Sequence, residues 1–336
     1  MPKRKLIIVG NGLGMSIDQN LFLLENALEN AWENLCQDDK ATLSGCLPKT
    51  NNSDNQIRSP KNENELDALH SISTACEFLN SFELKSSKGY LYLNEKGKAL
   101  PYISRKFIYK VAQILFSHNI SLKKSAPDFE QSLIDFIKST NSHVATLNYD
   151  KLLYTSFVAN NLCTGFDGNL VDGFTKEKGF SPENLQRFRG KNFGYYLHLH
   201  GSPLFITAES QNKIIKIKPE EVAKPSSNYS KHSKNHIVLS NINHKPQIIA
   251  SSPLLSSYWE TLSFCMSESC EVILFGYSGY DTHLNKVIRQ FFSEKQIKIV
   301  EWVGAEGNRE EFWRQKLENT SFVLCPLKNI TEFNSW

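Results

Sequence analysis

Residues 5–16 of this chain read Lys5-Leu6-Ile7-Ile8-Val9-Gly10-Asn11-Gly12-Leu13-Gly14-Met15-Ser16, and their pattern indicates the class of the whole structure. The apolar run from Leu6 to Val9 predicts a strand buried on both faces, as in a parallel sheet. The glycine-rich turn permits positive backbone angles and the close approach of a ligand. Apolar residues then recur at helical spacing as far as Leu35, so the segment predicts a strand, loop and helix unit.

The composition is that of an ordinary globular chain. Hydrophobic residues make up 40% and charged residues 22% of the 336 residues, which is enough for one large domain or two smaller ones. The formal net charge of +3 is too small to indicate a nucleic-acid partner. No apolar run approaches the roughly 18 residues of a membrane helix, and seven scattered cysteines favour reduced thiols, so we expect a cytoplasmic protein.

The rest of the chain continues the alternation of strands and helices. Further strands are predicted at residues 143–147, 193–199, 272–275, 297–303 and 321–325. Further helices are predicted at residues 128–139, 151–160, 253–265 and 282–292. This alternation is typical of the α/β class, so we expect a Rossmann-like doubly wound parallel sheet.

One region departs from the alternation. Residues 36–127 show mainly helical periodicity, and residues 48–64 within them are rich in Asn, Ser, Lys and Asp, which is typical of a flexible loop. We therefore expect a mostly helical insertion at 36–127, partly flexible near 48–64. The Rossmann-like domain then comprises residues 1–35 and 128–336, with 207–245 as a polar, lysine-rich loop region.

Two polar side chains follow the strand predicted at 143–147. Asn148 and Asp150 stand at its C-terminal end, where ligands collect in open α/β sheets. Asn is uncommon in strands, which favours a role in a site for Asn148. Asp150 is equally well explained as the cap of the helix that begins near Lys151.

Two histidines, His198 and His200, end the strand predicted at 193–199. Regular alternation places both on one face of the sheet. Histidine is the side chain best suited to proton transfer near neutral pH, which favours an acid–base role. Metal binding is the alternative, and it ranks lower because no third ligand is evident nearby in the sequence.

The glycine loop and one later strand end complete the set of candidates. Amides at a helix N-terminus favour phosphate, so residues 10–16 are predicted to hold one; a tight turn with Ser16 or Asp18 as helix cap explains them equally well. Downstream, Ser278 in Gly276-Tyr277-Ser278 is expected to bond a ligand phosphate or ribose. Asp281 is better explained as the N-cap of the helix that follows.

The order of these four segments resembles the sirtuin family, in particular its bacterial sirtuin-like branch, over Lys5–Asp18 and, with gaps, His143–Val303. The residues that match the family's motifs are the Gly-Ala-Gly-x-Ser-type loop at Gly10, Asn11, Gly12 and Ser16; the Gln-Asn-x-Asp segment at Asn148 and Asp150, with Leu147 in place of glutamine; the catalytic histidine and its glycine at His200 and Gly201; and the Gly-x-Ser loop at Gly276 and Ser278.

Two departures from the family pattern restrict what the resemblance implies. Sirtuin deacylases carry a four-cysteine zinc module after the histidine, whereas this chain has no cysteine between Cys163 and Cys265. The Pro-Asp-Phe-Arg segment after the first loop is replaced by Ile17-Asp18-Gln19-Asn20. We therefore expect no zinc and no deacylation. The remaining pattern is similar to the branch that destroys cellular NAD in antiphage defence.

The resemblance implies an NAD glycohydrolase that releases nicotinamide and ADP-ribose. His200 is expected to act as general base, Asn148 to orient ribose or water, and Asp150 to hold the carboxamide or stabilise positive charge on ribose. The residues expected to bind the dinucleotide are Gly10, Asn11, Gly12, Ser16, Asp18, Gly201, Gly276 and Ser278.

Partners and alternative functions follow from the same resemblance. A defence effector must be silent until triggered, so we expect a homo-oligomer, a partner ATPase or nuclease, or both, and no membrane. The main alternative is a subunit that binds NAD or ADP-ribose without turnover. A nucleic-acid-binding subunit ranks lowest, on six lysines of the polar region: Lys213, Lys216, Lys218, Lys224, Lys231 and Lys234.

Overall fold

The fold was analysed in a computed structural model. The structure describes residues 4–48, 57–85, 92–163, 168–188, 191–208, 213–224, 236–240, 244–291, 295–318 and 320–336. Residues 49–56 of the stretch expected to be flexible, 48–64, lie outside these ranges.

The described residues form eleven strands and fourteen α-helices. The strands are β1 Lys5–Val9, β2 His143–Thr146, β3 Leu170–Val171, β4 Phe174–Thr175, β5 Gly179–Phe180, β6 Gly194–His198, β7 Phe205–Ala208, β8 Lys213–Lys216, β9 Glu271–Phe275, β10 Gln296–Trp302 and β11 Phe322–Leu327. The helices are α1 Gly12–Ile17, α2 Gln19–Phe22, α3 Leu24–Glu33, α4 Gln37–Ser44, α5 Asp67–Lys85, α6 Glu95–Ser117, α7 Leu122–Ser125, α8 Pro127–Thr140, α9 Leu152–Ala159, α10 Pro219–Ala223, α11 Lys245–Ser251, α12 Pro253–Glu268, α13 Thr282–Phe291 and α14 Arg309–Leu317. Short 3₁₀ helices occupy Glu63–Leu66, Pro182–Leu185 and Ile330–Glu332.

Seven strands form one parallel sheet, and this confirms the predicted α/β, Rossmann-like doubly wound fold. The strand order is β11-β10-β9-β1-β2-β6-β3, and every neighbouring pair is parallel. The first strand therefore lies inside the sheet, and the chain builds outward from it in both directions. This arrangement creates a crevice at the carboxyl ends of the strands around β1, where open α/β sheets bind their ligands.

The inner strands are apolar because both of their faces are covered. All residues of β2, β6 and β9 are buried, as are Leu6 to Val9 of β1. The outermost strand β11 is mostly half-exposed and carries Pro326, which lacks an amide and is tolerated at a sheet edge. Burial on two faces thus explains why these strands appear in the sequence as apolar runs without alternation.

A second hydrophobic core lies within a helical layer. Buried side chains of α3, α5 and α6 pack together there, with Ile237 and Leu239 of the segment 236–240 and with Tyr149 after β2. Because α3 contributes Ala27, Leu28, Ala31 and Trp32 to this core, it packs with the helices of the insertion rather than on the sheet.

The helix predicted from about Ile17 to Leu35 is divided into two, α2 and α3, and α1 ends where it was expected to begin. Asp18 adopts an extended conformation between α1 and α2, and its carboxylate accepts a hydrogen bond from the amide of Leu21. A side-chain cap of this kind starts a new helix. The predicted cap role of Asp18 is confirmed, and the chain changes direction there.

The prediction that residues 207–245 form a loop region is wrong for its first part. β7 and β8 form an antiparallel hairpin, and α10 follows it. The hairpin is stable because Phe205 and Ile206 are buried and Ile214 packs on the main core. The lysines of this segment obscured the strand pattern in the sequence. Residues 225–235 lie outside the described part of the chain.

Gly201 ends the β6 turn at a position where a side chain does not fit. Its φ is +78°, and a methyl group built on it meets the carbonyl of His236. Gly201 pairs with Ile237 across an antiparallel bridge, so this close approach fixes the segment 236–240 beside His200.

We predict that Gly201→Ala destabilises the protein far more than Gly307→Ala. Both glycines have a φ of +78°, but Gly307 has no atom within 4 Å of a built methyl group. Left-handed strain alone is worth about 1–2 kcal/mol, and backbone overlap at Gly201 should raise the loss to roughly 3 kcal/mol or more. Denaturant unfolding measures both variants, and equal losses would contradict the packing role of Gly201.

Candidate active site

A large cavity of about 1170 Å³ opens at the carboxyl ends of β1, β2, β6, β9 and β10. Polar and charged side chains are prominent in its lining, among them Asn11, Ser16, Glu63, Asn148, Asp150, His200, Lys245, Ser278, Asp281, Glu301, Arg309 and Lys328. A cavity of this size is ample for a dinucleotide.

Nine of the eleven residues predicted for the site line this cavity. They are Gly10, Asn11, Gly12, Ser16, Asn148, Asp150, His200, Gly276 and Ser278. Asp18 and Gly201 do not line it: Asp18 caps α2, and Gly201 packs against His236. The structure therefore brings loops from four distant parts of the chain to one place.

The glycine loop is packed directly against the loop after β9. The amide of Gly12 donates to the carbonyl of Gly276 at 2.9 Å, and the amide of Gly10 donates to Phe275 at 2.9 Å. A methyl group at Gly10 would lie 2.6 Å from the Gly276 carbonyl oxygen. Glycine is thus required here for backbone-to-backbone contact.

Four amides of the loop that is predicted to hold a phosphate already donate to backbone carbonyls. Besides Gly10 and Gly12, the amides of Leu13 and Met15 donate to carbonyls within the loop, and the Ser16 hydroxyl donates to the carbonyl of Leu13. These donors are already engaged by the tight turn. The loop therefore forms the floor of the cavity. Lys245, Arg309 and Lys328 are the cationic side chains that line it, and Lys245 and Arg309 are already paired with carboxylates.

Asn148 and Asp150 each have one buried side-chain oxygen atom that lacks a hydrogen bond. Asn148 donates through Nδ2 to the carbonyl of Gly10 at 3.1 Å, and Asp150 accepts through Oδ1 from the amide of Leu152 at 2.9 Å. Asp150 thus bonds the first amide of α9, whereas the N-cap position of that helix is held by Lys151. Among the described residues, no donor bonds the buried atoms Asn148 Oδ1 and Asp150 Oδ2. Two buried acceptors without donors beside a cavity suit a ligand that brings N–H or O–H groups.

His200 is held by a carboxylate. Its Nε2 atom lies 2.9 Å from Oδ2 of Asp281, and both side chains are buried. Burial alone would raise the pKa of Asp281, but the His200 hydrogen bond and the charge of Lys245 hold it well below its usual range. An ionised carboxylate only accepts, so Nε2 carries the proton. Nδ1, which no described residue bonds, is left as the basic nitrogen.

His198 lies in the core, and the expected pairing with His200 is wrong. It packs against Tyr196 and Phe205 with ring centroids 4.6 and 5.2 Å away. Burial lowers the pKa of His198 to about 3. The two histidines diverge because β6 ends at His198 and a turn begins there. His198 thus lies in the core, whereas His200 lines the cavity.

Asp281 has a larger part in the candidate site than its sequence position indicated. It caps α13 as predicted, with Oδ1 accepting from the amide of Leu284 at 3.0 Å. Its other oxygen bonds both His200 and Lys245. Lys245 and its second partner, Glu63, gave no sequence signal, because each is an isolated charge in a polar segment.

An acidic residue, Glu301, lies near the C-terminal end of β10 and lines the cavity. Glu301 in β10 accepts from Arg309 through both of its oxygens and from the indole of Trp313. The neighbouring Trp302 is 60% exposed and lines the cavity. Strand ends of this kind hold ribose hydroxyls in dinucleotide-binding folds.

Three of the described lysines of the polar region have a local partner. Lys216 is paired with buried Asp172, Lys213 donates to the carbonyl of Glu177, and Lys224 is paired with Glu221. Lys231 and Lys234 lie outside the described residues. The charges of Lys216 and Lys224 are thus balanced by neighbouring carboxylates.

Comparisons with known proteins identify no family. A scan against protein-family models gives no match, and a search of curated proteins gives no significant match. Within the described ranges, no three His, Cys, Asp or Glu side chains are grouped to hold a metal ion. No helix in the same ranges is long and apolar enough to cross a membrane.

Asp150→Asn is expected to stabilise the protein in a pH-dependent way. Burial raises the pKa of Asp150 to about 6, against the opposing effects of the Leu152 amide and the Asn148 side chain. Because the folded pKa lies above the unfolded one, the carboxylate destabilises the fold increasingly as pH rises toward 6. The neutral amide avoids this, so its advantage over wild type should grow by about 1.4 kcal/mol between pH 5 and pH 7.5.

Denaturant unfolding at the two pH values measures this advantage. Asp128→Asn is the matched control, since Asp128 is exposed on α8 and removal of a solvated carboxylate changes stability little. An advantage for Asp150→Asn that is the same at both pH values would show that the buried carboxylate is not strained.

Proposed function

We propose that this protein hydrolyses NAD⁺ to nicotinamide and ADP-ribose. The observation that carries the proposal is one cavity in which a buried Asp281–His200 pair and the unbonded oxygens of Asn148 and Asp150 are brought together beside a glycine loop. A base, acceptors for a carboxamide and ribose, and space for a long anionic ligand are what this reaction requires.

The reaction breaks the bond between the nicotinamide nitrogen and C1′ of ribose. The ring leaves as a neutral molecule with the bonding electron pair, and positive charge develops on the ribose. Water forms the new bond to C1′ and loses one proton. The products are nicotinamide, ADP-ribose and that proton.

The histidine pair fits the proton transfer. Nδ1 of His200 takes the proton from water or from a ribose hydroxyl, and Asp281 stabilises the imidazolium that results. The hydrogen bond from Nε2 to Asp281 fixes the tautomer, so the lone pair is always on Nδ1. Proton transfer therefore needs no ring rotation.

The two unbonded oxygens fit the nicotinamide ribose. A carboxamide –NH₂ or a ribose hydroxyl supplies the donors that Asn148 Oδ1 and Asp150 Oδ2 lack. The Asp150 carboxylate also faces the positive charge that develops on ribose, which favours the transition state. Arg309 and Lys328 are the cations toward the other end of the cavity, where they suit the pyrophosphate or the second ribose.

The same assignment is supported by the sirtuin-like order of the four segments. It accords with an antiphage effector that depletes cytoplasmic NAD. The alternative, an NAD or ADP-ribose sensor, uses the same cavity and lacks turnover. Release of nicotinamide separates the two.

We predict that His200→Ala lowers NAD hydrolysis by about 10²–10⁴-fold while the fold is kept. Loss of a positioned general base has this typical effect. The measurement is nicotinamide release, followed by chromatography, with purified protein at pH 7.5. The matched control is His118→Ala, since His118 is half-buried and does not line the cavity.

Circular dichroism and a melting curve establish that His200→Ala is folded. Hydrolysis by this variant at the wild-type rate would end the assignment of His200. Binding of NAD by the wild type without any nicotinamide release, with or without candidate activators, would instead establish the sensor.

Assembly of the effector is part of the proposal, and α5 offers a surface for it. Ile72, Phe78 and Phe82 are 40%, 66% and 53% exposed, and the rings of Phe78 and Phe82 are in contact. Contiguous exposed aromatic side chains are typical of an interaction site. A second copy of this chain, or a partner ATPase or nuclease, is expected to cover them.

We expect Phe78→Ser to lower self-association. Size-exclusion chromatography with light scattering measures the mass over a range of concentrations. Phe264→Ser is the control, since Phe264 is 46% exposed on α12, outside the helical layer. Monomeric wild-type protein at all concentrations would contradict self-assembly.

A further inference from the structure

We propose that Lys245 is a positioning residue for His200, and that Glu63 makes the helical layer part of the same site. The inference rests on the proposed function for its catalytic meaning. Physically, it describes a chain of four polar groups in contact: imidazole, carboxylate, ammonium and carboxylate.

The geometry of the chain is continuous. Oδ2 of Asp281 lies 2.9 Å from His200 Nε2 and 3.1 Å from Lys245 Nζ, and the same Nζ lies 3.3 Å from Oε2 of Glu63. Lys245 and His200 therefore share one oxygen atom. A change in the charge of one is felt directly by the other.

Lys245 stands where a lysine is locally unfavourable. It is 5% exposed and is the first residue of α11, the end of a helix that repels positive charge. Burial alone would lower its pKa, yet Glu63 and Asp281 outweigh burial and raise it. A lysine is unfavourable both as a buried charge and at a helix N-terminus. Because carboxylates of the site stabilise Lys245 there, it is expected to have a role in that site.

Glu63 comes from the insertion and is anchored with it. It opens the 3₁₀ helix that leads directly into α5. The same layer bonds the chain just before Lys245: His70 bonds the carbonyl of Leu239 at 2.7 Å, and Asp67 lies 3.2 Å from His244. A displacement of the helical layer therefore moves Glu63 and the start of α11 together.

The sign of each effect on His200 follows from charge. The Lys245 ammonium opposes protonation of His200, and the Glu63 carboxylate weakens that opposition. Removing Lys245 favours the imidazolium, whereas removing Glu63 disfavours it. If the ion pair between Lys245 and Glu63 had only a structural role, both variants would affect His200 in the same direction, because both break that contact.

Other charged and titratable groups face His200 as well. Asp281 and His283 approach from the start of α13, Lys245 from α11, Glu63 from the insertion, and Tyr149 and Asp150 from the loop after β2. Asp150 can add its own limb to a pH–rate profile, since its pKa is raised to about 6. A measurement on the His200 ring itself is therefore needed beside the kinetics.

The test compares Lys245→Met and Glu63→Gln with wild type. Ring resonances of histidines labelled with ¹⁵N, assigned by a His200→Gln spectrum, give the titration midpoint of His200. We expect Lys245→Met to move this midpoint, and the acid limb of kcat/KM, to higher pH by roughly one unit. Glu63→Gln should move both to lower pH by a smaller amount. Lys245→Arg, which keeps the charge, should restore most of the wild-type profile.

The matched control is Lys106→Met, which breaks an ion pair with Asp39 inside the helical layer and should leave the midpoint in place. Shifts of the two test variants in the same direction, or no shift in either, would overturn the proposal. Thermal melts confirm that each variant is folded at the temperature used.

The proposed function and the charge chain are tested by different measurements. Wild-type protein that releases no nicotinamide contradicts the proposed function, and the titration of the His200 ring still tests the charge chain. Wild-type turnover with an unmoved ring titration contradicts the charge chain alone.

Discussion

The site depends on one backbone contact, between the glycine loop after β1 and the loop after β9. The amides of Gly10 and Gly12 donate to the carbonyls of Phe275 and Gly276, and no side chain fits between the two loops. Because β1 and β9 are paired strands in the middle of the sheet, this contact continues their pairing beyond the C-terminal ends of the two strands. It forms the floor on which residues from β2, β6 and β10 converge.

Strong local patterns made the sheet predictable from the sequence. Strands such as Lys5–Val9 and Glu271–Phe275 are apolar and end in glycine, and polar side chains at strand ends such as Asn148 and His200 do reach one cavity. What failed was local geometry. The chain turns at His198 instead of continuing in register, Asp18 divides a helix, and a lysine-rich segment forms a hairpin. Each outcome was decided by a contact distant in sequence or by a single cap.

Long-range electrostatics explains the residues that the sequence did not reveal. Lys245 and Glu63 are single charges in polar segments and become significant only when folding places them beside Asp281. Asp281 itself combines a helix cap and a partner for His200 on its two oxygens. One carboxylate thus fixes the start of α13 and the ring of His200 at once, so the geometry of the candidate site is tied to the stability of a helix.

The two edges of the large sheet are both poor templates for another strand. On one side the terminal strand β3 has only two residues, and on the other Pro326 removes a donor from β11. An incoming chain would find few backbone groups to pair with, which protects a parallel sheet of this length from intermolecular growth into fibrils. The sheet is consequently expected to resist strand exchange between copies of the chain, even at high local concentrations.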